Sequence, residues 1–186
     1  MDALEHFLQS LELPELTTQQ LCQQWKWDKE LSRGDYLTRE GQTEQHLYFI
    51  DSGTLIIYYE QEGIEQVVGF GYENTMICSF PSFIRNLPSE YYIRAMSDVT
   101  LVGIHRNDFY RILEQDSRLE SAWRKLIEEA LLGRIEREVD LLTVSPKDRL
   151  QRLLDRSPHL FQRVPHKYIA SYLRMAPETL SRNLKS

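Results

Sequence analysis

The carboxyl-terminal stretch Val164–Ser186, VPHKYIASYLRMAPETLSRNLKS, decides how this chain is read. Its apolar residues fall into two short sets at helical spacing. Pro165–Leu173 turns Ile169, Ala170 and Leu173 inward, and Pro177–Lys185 turns Leu180 and Leu184 inward. Between them lie Arg174, Met175 and Ala176, a joint of the three residues that a helix-turn-helix needs. Met175 is expected to plug the gap between the helices, and Ala170 is small where their backbones approach. The outer side of the second helix carries Glu178, Thr179, Ser181, Arg182 and Lys185. Those groups have the chemistry to reach base edges and phosphates in a major groove. The expected partner is double-stranded DNA.

Charge is distributed to match. The 186 residues hold 22 basic and 28 acidic side chains, a net charge of −6 that looks wrong for a nucleic-acid binder. Residues 145–186 nevertheless contain nine basic and three acidic groups, a local +6, which leaves 13 basic and 25 acidic groups in residues 1–144. Such asymmetry points to a nucleic-acid module joined to something else. The plainer alternative is a pair of charged helices packed on an acidic neighbour.

Composition bounds that other part. A content of 41% hydrophobic and 27% charged residues is that of a soluble globular protein of one or two domains. No apolar run approaches the roughly 20 residues that span a bilayer, and the acidic start Met1-Asp2-Ala3-Leu4-Glu5 is unlike a signal peptide. A cytoplasmic location and no membrane association are expected. Cys22 and Cys78 are isolated and read as free buried thiols. His6, His46, His105, His159 and His166 are scattered, so neither a metal nor a haem or iron–sulfur cofactor is expected.

Working back from the carboxyl terminus, Ser145-Pro146-Lys147-Asp148 is a helix start: a capping serine, proline at the first helical position and an acid at the third. It opens a helix over 146–156 with Leu150, Leu153 and Leu154 inward, and it puts a hinge near Val144. The preceding stretch from Arg106 to about Thr143 is helical. Within it, Leu119, Trp123, Leu126, Ile127, Ala130, Leu131, Ile135, Val139 and Leu142 form a stripe at steps of three and four. The stripe is longer than a small barrel covers. Residues of about 115–143 are therefore expected to form a dimer seam, with Ile127, Leu131, Ile135 and Leu142 facing a second copy. A helix lying along its own barrel remains the alternative.

Between about Leu31 and His105 the period changes to that of strands. Leu47–Ile50, Thr54–Tyr59, Gln66–Phe70, Tyr91–Ala95 and Thr100–Ile104 are short aromatic and β-branched runs divided by glycine turns. Residues 1–27 look helical. The expected fold is α+β: an antiparallel β-roll, a long helix and a small helical domain. Residues 1–143 form the first domain and residues 144–186 the second.

That order resembles the catabolite-activator and FNR family of bacterial transcription regulators over nearly the whole chain. Ser32-Arg-Gly-Asp-Tyr-Leu-Thr-Arg-Glu-Gly41 and His46-Leu-Tyr-Phe-Ile-Asp-Ser-Gly53 are similar to the opening hairpins of the family's cyclic-nucleotide-binding domain. Ile169-Ala-Ser-Tyr-Leu and Pro177-Glu-Thr-Leu-Ser-Arg182 are similar to its DNA-reading helices. The resemblance implies base contacts from Glu178 and Arg182, and contacts near the DNA backbone from Thr179 and Ser181.

The resemblance also exposes departures. Family members that bind cyclic AMP use an acid for the ribose and, ten residues later, an arginine for the cyclic phosphate. The matching positions here are Ser79 and Ser89, with Glu90 and Tyr91 following. A buried phosphate needs a cation or several N–H donors, so cyclic AMP is not expected to bind. Arg85, in the intervening loop, and Arg94, further along the strand, are not expected to replace the missing cation. Ser79, Phe80, Ser89, Tyr91 and Tyr92 instead mark a candidate pocket for a less charged small-molecule effector, with a filled barrel and no effector as the alternative.

The reader departs too. Arg174 stands where glycine is usual, Ala176 replaces a capping Ser or Thr at a cost of about 0.5–2 kcal/mol, Asn183 occupies an often apolar site, and the chain stops at Ser186 without a wing. A reader of this kind would lean on dimerisation, with Arg174 reaching a phosphate. No catalytic motif such as GxSxG, HExxH or a P-loop is present, so no enzyme is expected. The competing class is a ligand-binding or protein-interaction module whose helix-turn-helix is vestigial.

Overall fold

The computed structural model describes residues 2–185, so Met1 and Ser186, which open and close the two expected domains, lie outside the described residues. The chain forms two compact units, Met1–Tyr59 with Gly69–Arg124, and Glu60–Val68 with Lys125–Ser186. The expected boundary near Val144 falls inside the second unit, between two of its helices.

The first unit begins with helices α1 (Asp2–Gln9) and α2 (Glu15–Cys22). Strands β1 (Trp27–Leu31), β2 (Tyr36–Thr38), β3 (His46–Ser52), β4 (Thr54–Gln61), β5 (Ile64–Tyr72) and β6 (Met76–Ile77) follow. A short helix α3 (Phe80–Arg85) precedes β7 (Tyr92–Ala95) and β8 (Val99–His105), and α4 (Arg106–Gln115) follows. The strands make two four-stranded sheets, ordered β1-β8-β3-β6 and β2-β7-β4-β5. All five strands expected from the sequence are present.

Apolar alternation explains the pairing of layers. Leu37, Leu55, Ile93 and Ala95 from one sheet pack with Leu31, Ile50, Val99 and Leu101 from the other. A second cluster places Leu4 and Leu8 of α1 against Phe49, Val102, Ile104, Phe83 and Phe109. Gly53, at φ +92°, is irreplaceable on two counts: its backbone is left-handed, and a Cβ there would lie 2.3 Å from the Asp98 carbonyl oxygen.

Three local expectations need correction. The amino-terminal helical zone ends at Cys22, and Trp27–Leu31 is a strand paired antiparallel to β8, Trp27 with Gly103 and Leu31 with Val99. Only Leu31 of this strand is buried, so it carries no alternation to read, and its backbone partner on β8 is what makes it a strand. The loop expected to hold Arg85 is helix α3, with Arg85 exposed in its last turn. The helix from 106 onward is broken at Asp116, whose carboxylate accepts from the Arg118 N–H and guanidinium as α5 (Ser117–Leu142) begins.

The second unit takes the tip of the β4–β5 hairpin, most of α5, and four shorter helices: α6 (Pro146–Arg156), α7 (Leu160–Arg163), α8 (His166–Tyr172) and α9 (Pro177–Asn183). Ser145 caps α6 as its spelling indicates, accepting from the Asp148 N–H at 3.3 Å. Leu150, Leu153, Leu160, Val164, Ile169, Ala170, Leu173 and Leu180 are all buried. Leu154 and Leu184 are only partly covered.

Candidate functional site

The α8–α9 pair is built around its joint. The Met175 N–H donates to the Ala170 carbonyl at 3.0 Å, and the Arg174 N–H donates to the Ser171 carbonyl at 3.0 Å. These are the two bonds of a Schellman helix ending. Arg174 occupies the residue that must be left-handed, at φ +54°, where glycine would carry no strain. The Arg149 guanidinium offsets that strain by donating from Nη1 to the carbonyls of Leu173, at 3.0 Å, and Arg174, at 3.3 Å. Ala170 is fully buried where the helices meet. Leu173 is fully buried, whereas Met175, expected as the plug, is half-buried.

Helix α9 starts at Pro177 with Ala176 in the cap position and no side-chain cap bond. Glu178 lies in its first turn and Arg182 in its last, the order that complements the helix dipole. Pro177, Glu178, Ser181, Arg182 and Lys185 line one shallow open groove on the outside of the helix. Four of the six residues expected to meet DNA thus share a face. Thr179 is half-buried off that face, and its carbonyl accepts from Asn183 Nδ2 at 2.8 Å. Arg174 stands at the joint, its Nη1 3.4 Å from Gln66 Oε1.

A buried carboxylate anchors this helical group. Asp140, wholly buried near the end of α5, accepts from Arg152 Nε and Arg156 Nη2, each at 2.6 Å. Two guanidiniums on the second half of α6 therefore tie it to the last turn of α5. Upstream of that tie α5 is open, with Ile127, Leu131, Leu132, Ile135 and Val139 exposed on the single chain; just beyond it Leu142 is 74% exposed. Near its start the same helix buries Leu119 and Ala122.

The expected effector pocket has a different character. Ser79 and Ser89, which the resemblance matches to the acid and arginine of a cyclic-AMP binder, are both buried, and their hydroxyl oxygens lie 2.7 Å apart. The Tyr91 N–H donates to Ser89 Oγ at 3.0 Å. The other three residues point to separate neighbours. Phe80 stacks on Trp123, Tyr91 meets Tyr59 edge-on, and Tyr92 stacks on Tyr58 at 5.2 Å while donating its hydroxyl to Glu40. Arg94 lies over the Tyr58 ring, and its Nη1 is 3.4 Å from the Tyr58 hydroxyl.

The sequence reading missed the polar residues that knit this cassette. Glu44 is buried, accepts from the Thr38 hydroxyl and from the His46 N–H, and has its own N–H bonded to Ser82 Oγ at 2.8 Å. Burial raises its carboxyl above the ordinary range, against the lowering effect of those donors. Glu44 sits in a polar run, T-E-Q, that reads as loop, so nothing local flags it. Two histidines are also nearer than their spacing suggests: His46 and His105 are register partners on β3 and β8, with rings 5.2 Å apart. Burial, and then His105, lower the His46 pKa. No cluster of three or more metal-ligating side chains occurs among the described residues. Cys78 is buried as expected, whereas Cys22 is only half-buried. No helix among the described residues is long and apolar enough to cross a membrane.

With this geometry in hand, the class of fold is plain: a cyclic-nucleotide-binding β-roll followed by a long helix and smaller helices. Residues 28–116 match the cyclic nucleotide-binding domain family. No curated protein sequence matches the chain significantly. Several solved structures share the fold. The c-di-GMP responsive global regulator CLP of Xanthomonas campestris is 18% identical, with 92% of this chain and 90% of that one covered and a TM-score of 0.69. A CooA variant from Carboxydothermus hydrogenoformans is 17% identical, with 96% and 82% covered and a TM-score of 0.73. FixK2 of Bradyrhizobium japonicum is 15% identical, with 86% and 82% covered and a TM-score of 0.71.

Proposed function

We propose that this protein is a DNA-binding transcription regulator of the catabolite-activator and FNR type, acting in the cytoplasm as a homodimer. The observation that carries the reading is the α9 groove. Glu178, Ser181, Arg182 and Lys185 project from one face of a helix whose other face is anchored by buried Leu180. An outward row of charged and hydroxyl groups on the second of two short helices is what major-groove reading requires. The likeness to regulators of the same architecture supports it. Dimerisation is supported by the uncovered stripe Ile127, Leu131, Ile135 and Leu142, four large apolar side chains that a monomer would leave in water. Catalysis forms no part of this reading.

The cassette is read as one that does not respond to cyclic AMP. Its two decisive positions are neutral serines paired with each other, so a cyclic phosphate would have to break that bond and would gain no cation in return. A small, less charged effector, as yet unassigned, remains compatible with the aromatic surroundings.

The test is selection of bound sequences from a random duplex pool, followed by affinity measurement at two salt concentrations. Enrichment of two-fold symmetric half-sites about one helical turn apart, with binding that falls steeply as salt rises, is the expected outcome. Dimers without salt-sensitive duplex binding would identify an interaction module with a vestigial reader instead.

A further inference from the structure

The hairpin tip Glu60-Gln-Glu-Gly-Ile-Glu-Gln-Val-Val68 holds three glutamates and no basic residue. Its two-residue turn, Glu62 at φ +54° and Gly63 at φ +76°, is of the tight mirror-image kind that joins antiparallel strands. Strand β5 is the edge of its sheet, so its outer N–H and C=O groups have no strand partner. Between Glu65 and Val68, side chains of α8 and α5 cover them. Ser171 Oγ donates to the Glu65 carbonyl at 3.2 Å and accepts from the Val67 N–H at 3.2 Å. Arg137 Nη2 donates to the Val67 carbonyl at 3.1 Å and also to the Tyr172 carbonyl at 3.4 Å. Arg134 Nη1 donates to the Val68 carbonyl at 2.8 Å, and Arg174 reaches Gln66.

We propose that this acidic tip is an autoinhibitory latch on the DNA-reading helices, with Ser171 as its catch. The proposal rests on the DNA-binding reading above and adds how that site is restrained. A duplex carries one negative charge about every 1.7 Å of its axis. A tip with three carboxylates, hydrogen-bonded to α8 and to Arg174, opposes the approach of that charge and engages a guanidinium that would otherwise meet a phosphate. The catch is made of neutral hydrogen bonds, each modest in net strength, so the latch opens reversibly. Both strands of the hairpin continue beyond the tip as Thr54–Tyr59 and Gly69–Tyr72, which belong to the β-roll. A shift in the roll therefore has a covalent route to the catch.

The experiment compares the full chain with Ser171→Ala and with the double variant Glu60→Gln/Glu62→Gln. Binding to random duplex DNA is measured by fluorescence anisotropy at about 50 mM and about 200 mM salt, and exchange of the Val67 amide is followed by NMR. Ser171→Ala is expected to speed Val67 exchange and to tighten duplex binding about fivefold, the lower end of typical coupling between sites. The double variant, changed only at exposed positions, Glu60 at the end of β4 and Glu62 in the turn, is expected to tighten binding at low salt and less at high salt. Wild-type binding with either variant unchanged or weakened overturns the latch and leaves the DNA reading standing. Failure of all three proteins to bind any duplex at low salt overturns the DNA reading itself, and the latch with it.

Discussion

The cassette of the β-roll and the outer face of α9 use similar residues to opposite ends. In the cassette, serines and a glutamate are turned inward and spend their hydrogen bonds on one another: Ser79 with Ser89, Glu44 with Thr38 and Ser82. On α9, Glu178, Ser181, Arg182 and Lys185 face outward along an open groove. Buried polar groups must be satisfied within the protein, and the cassette has done so without leaving a charge for a ligand. Exposed ones stay within reach of solvent and of a partner. Polar side chains mark a binding surface only where the fold leaves them accessible.

The largest expected effect tests whether the reader is held as firmly as the cassette. Asp140→Ala would leave Arg152 and Arg156 without their buried partner. Because those guanidiniums are partly exposed, the loss is set at about 2–4 kcal/mol of unfolding free energy, below the range for a fully buried pair. Chemical denaturation measures it, and a loss under about 0.5 kcal/mol, the range of ordinary surface changes, would mean that the tie is ornamental. Next comes Arg182→Ala, expected to weaken binding to a selected site by about 1–3 kcal/mol with the fold intact. An unchanged gel-shift series at fixed salt would remove Arg182 from the reading face.

The cassette answers to pH. Because burial raises the Glu44 carboxyl in the folded state, its contribution is fully present below the unfolded-state value and is lost as pH rises through the folded one. Glu44→Gln should therefore lose less stability than the wild type as pH rises above the ordinary glutamate value of about 4.3. Parallel urea-unfolding profiles for the two proteins would show that Glu44 is not strained by its burial. The smallest expected effect is none at all: titration calorimetry with cyclic AMP should give no micromolar binding. A saturable heat would dissolve the contrast between the two regions, since the serine pair would then be an open site.

Much of this molecule is legible in its sequence. The α6 start is spelled out by Ser145 and Pro146, and the strands Thr54–Tyr59 and Thr100–Ile104 by their composition, because capping and β-propensity are local. The left-handed backbone at Arg174 was foreseeable from the glycine that helix-turn-helix joints usually place there. Strand β1 was not, since Trp27-Asp-Lys-Glu-Leu31 has no apolar alternation and becomes a strand only by pairing with β8. Nor was the divergence of Phe80, Tyr91 and Tyr92, which spacing alone gathers into one pocket.

By itself, then, the sequence determined the order of the helical and strand zones, the basic carboxyl-terminal segment and the neutral residues at Ser79 and Ser89, all of which depend on residues close together in the chain. Tertiary structure alone decided which polar groups meet. Ser79 and Ser89 are ten residues apart, Glu44 and Ser82 thirty-eight, and Ser171 and Val67 one hundred and four. A hydrogen bond acts over about 3 Å and is indifferent to chain separation, so only the folded backbone could bring these partners within reach.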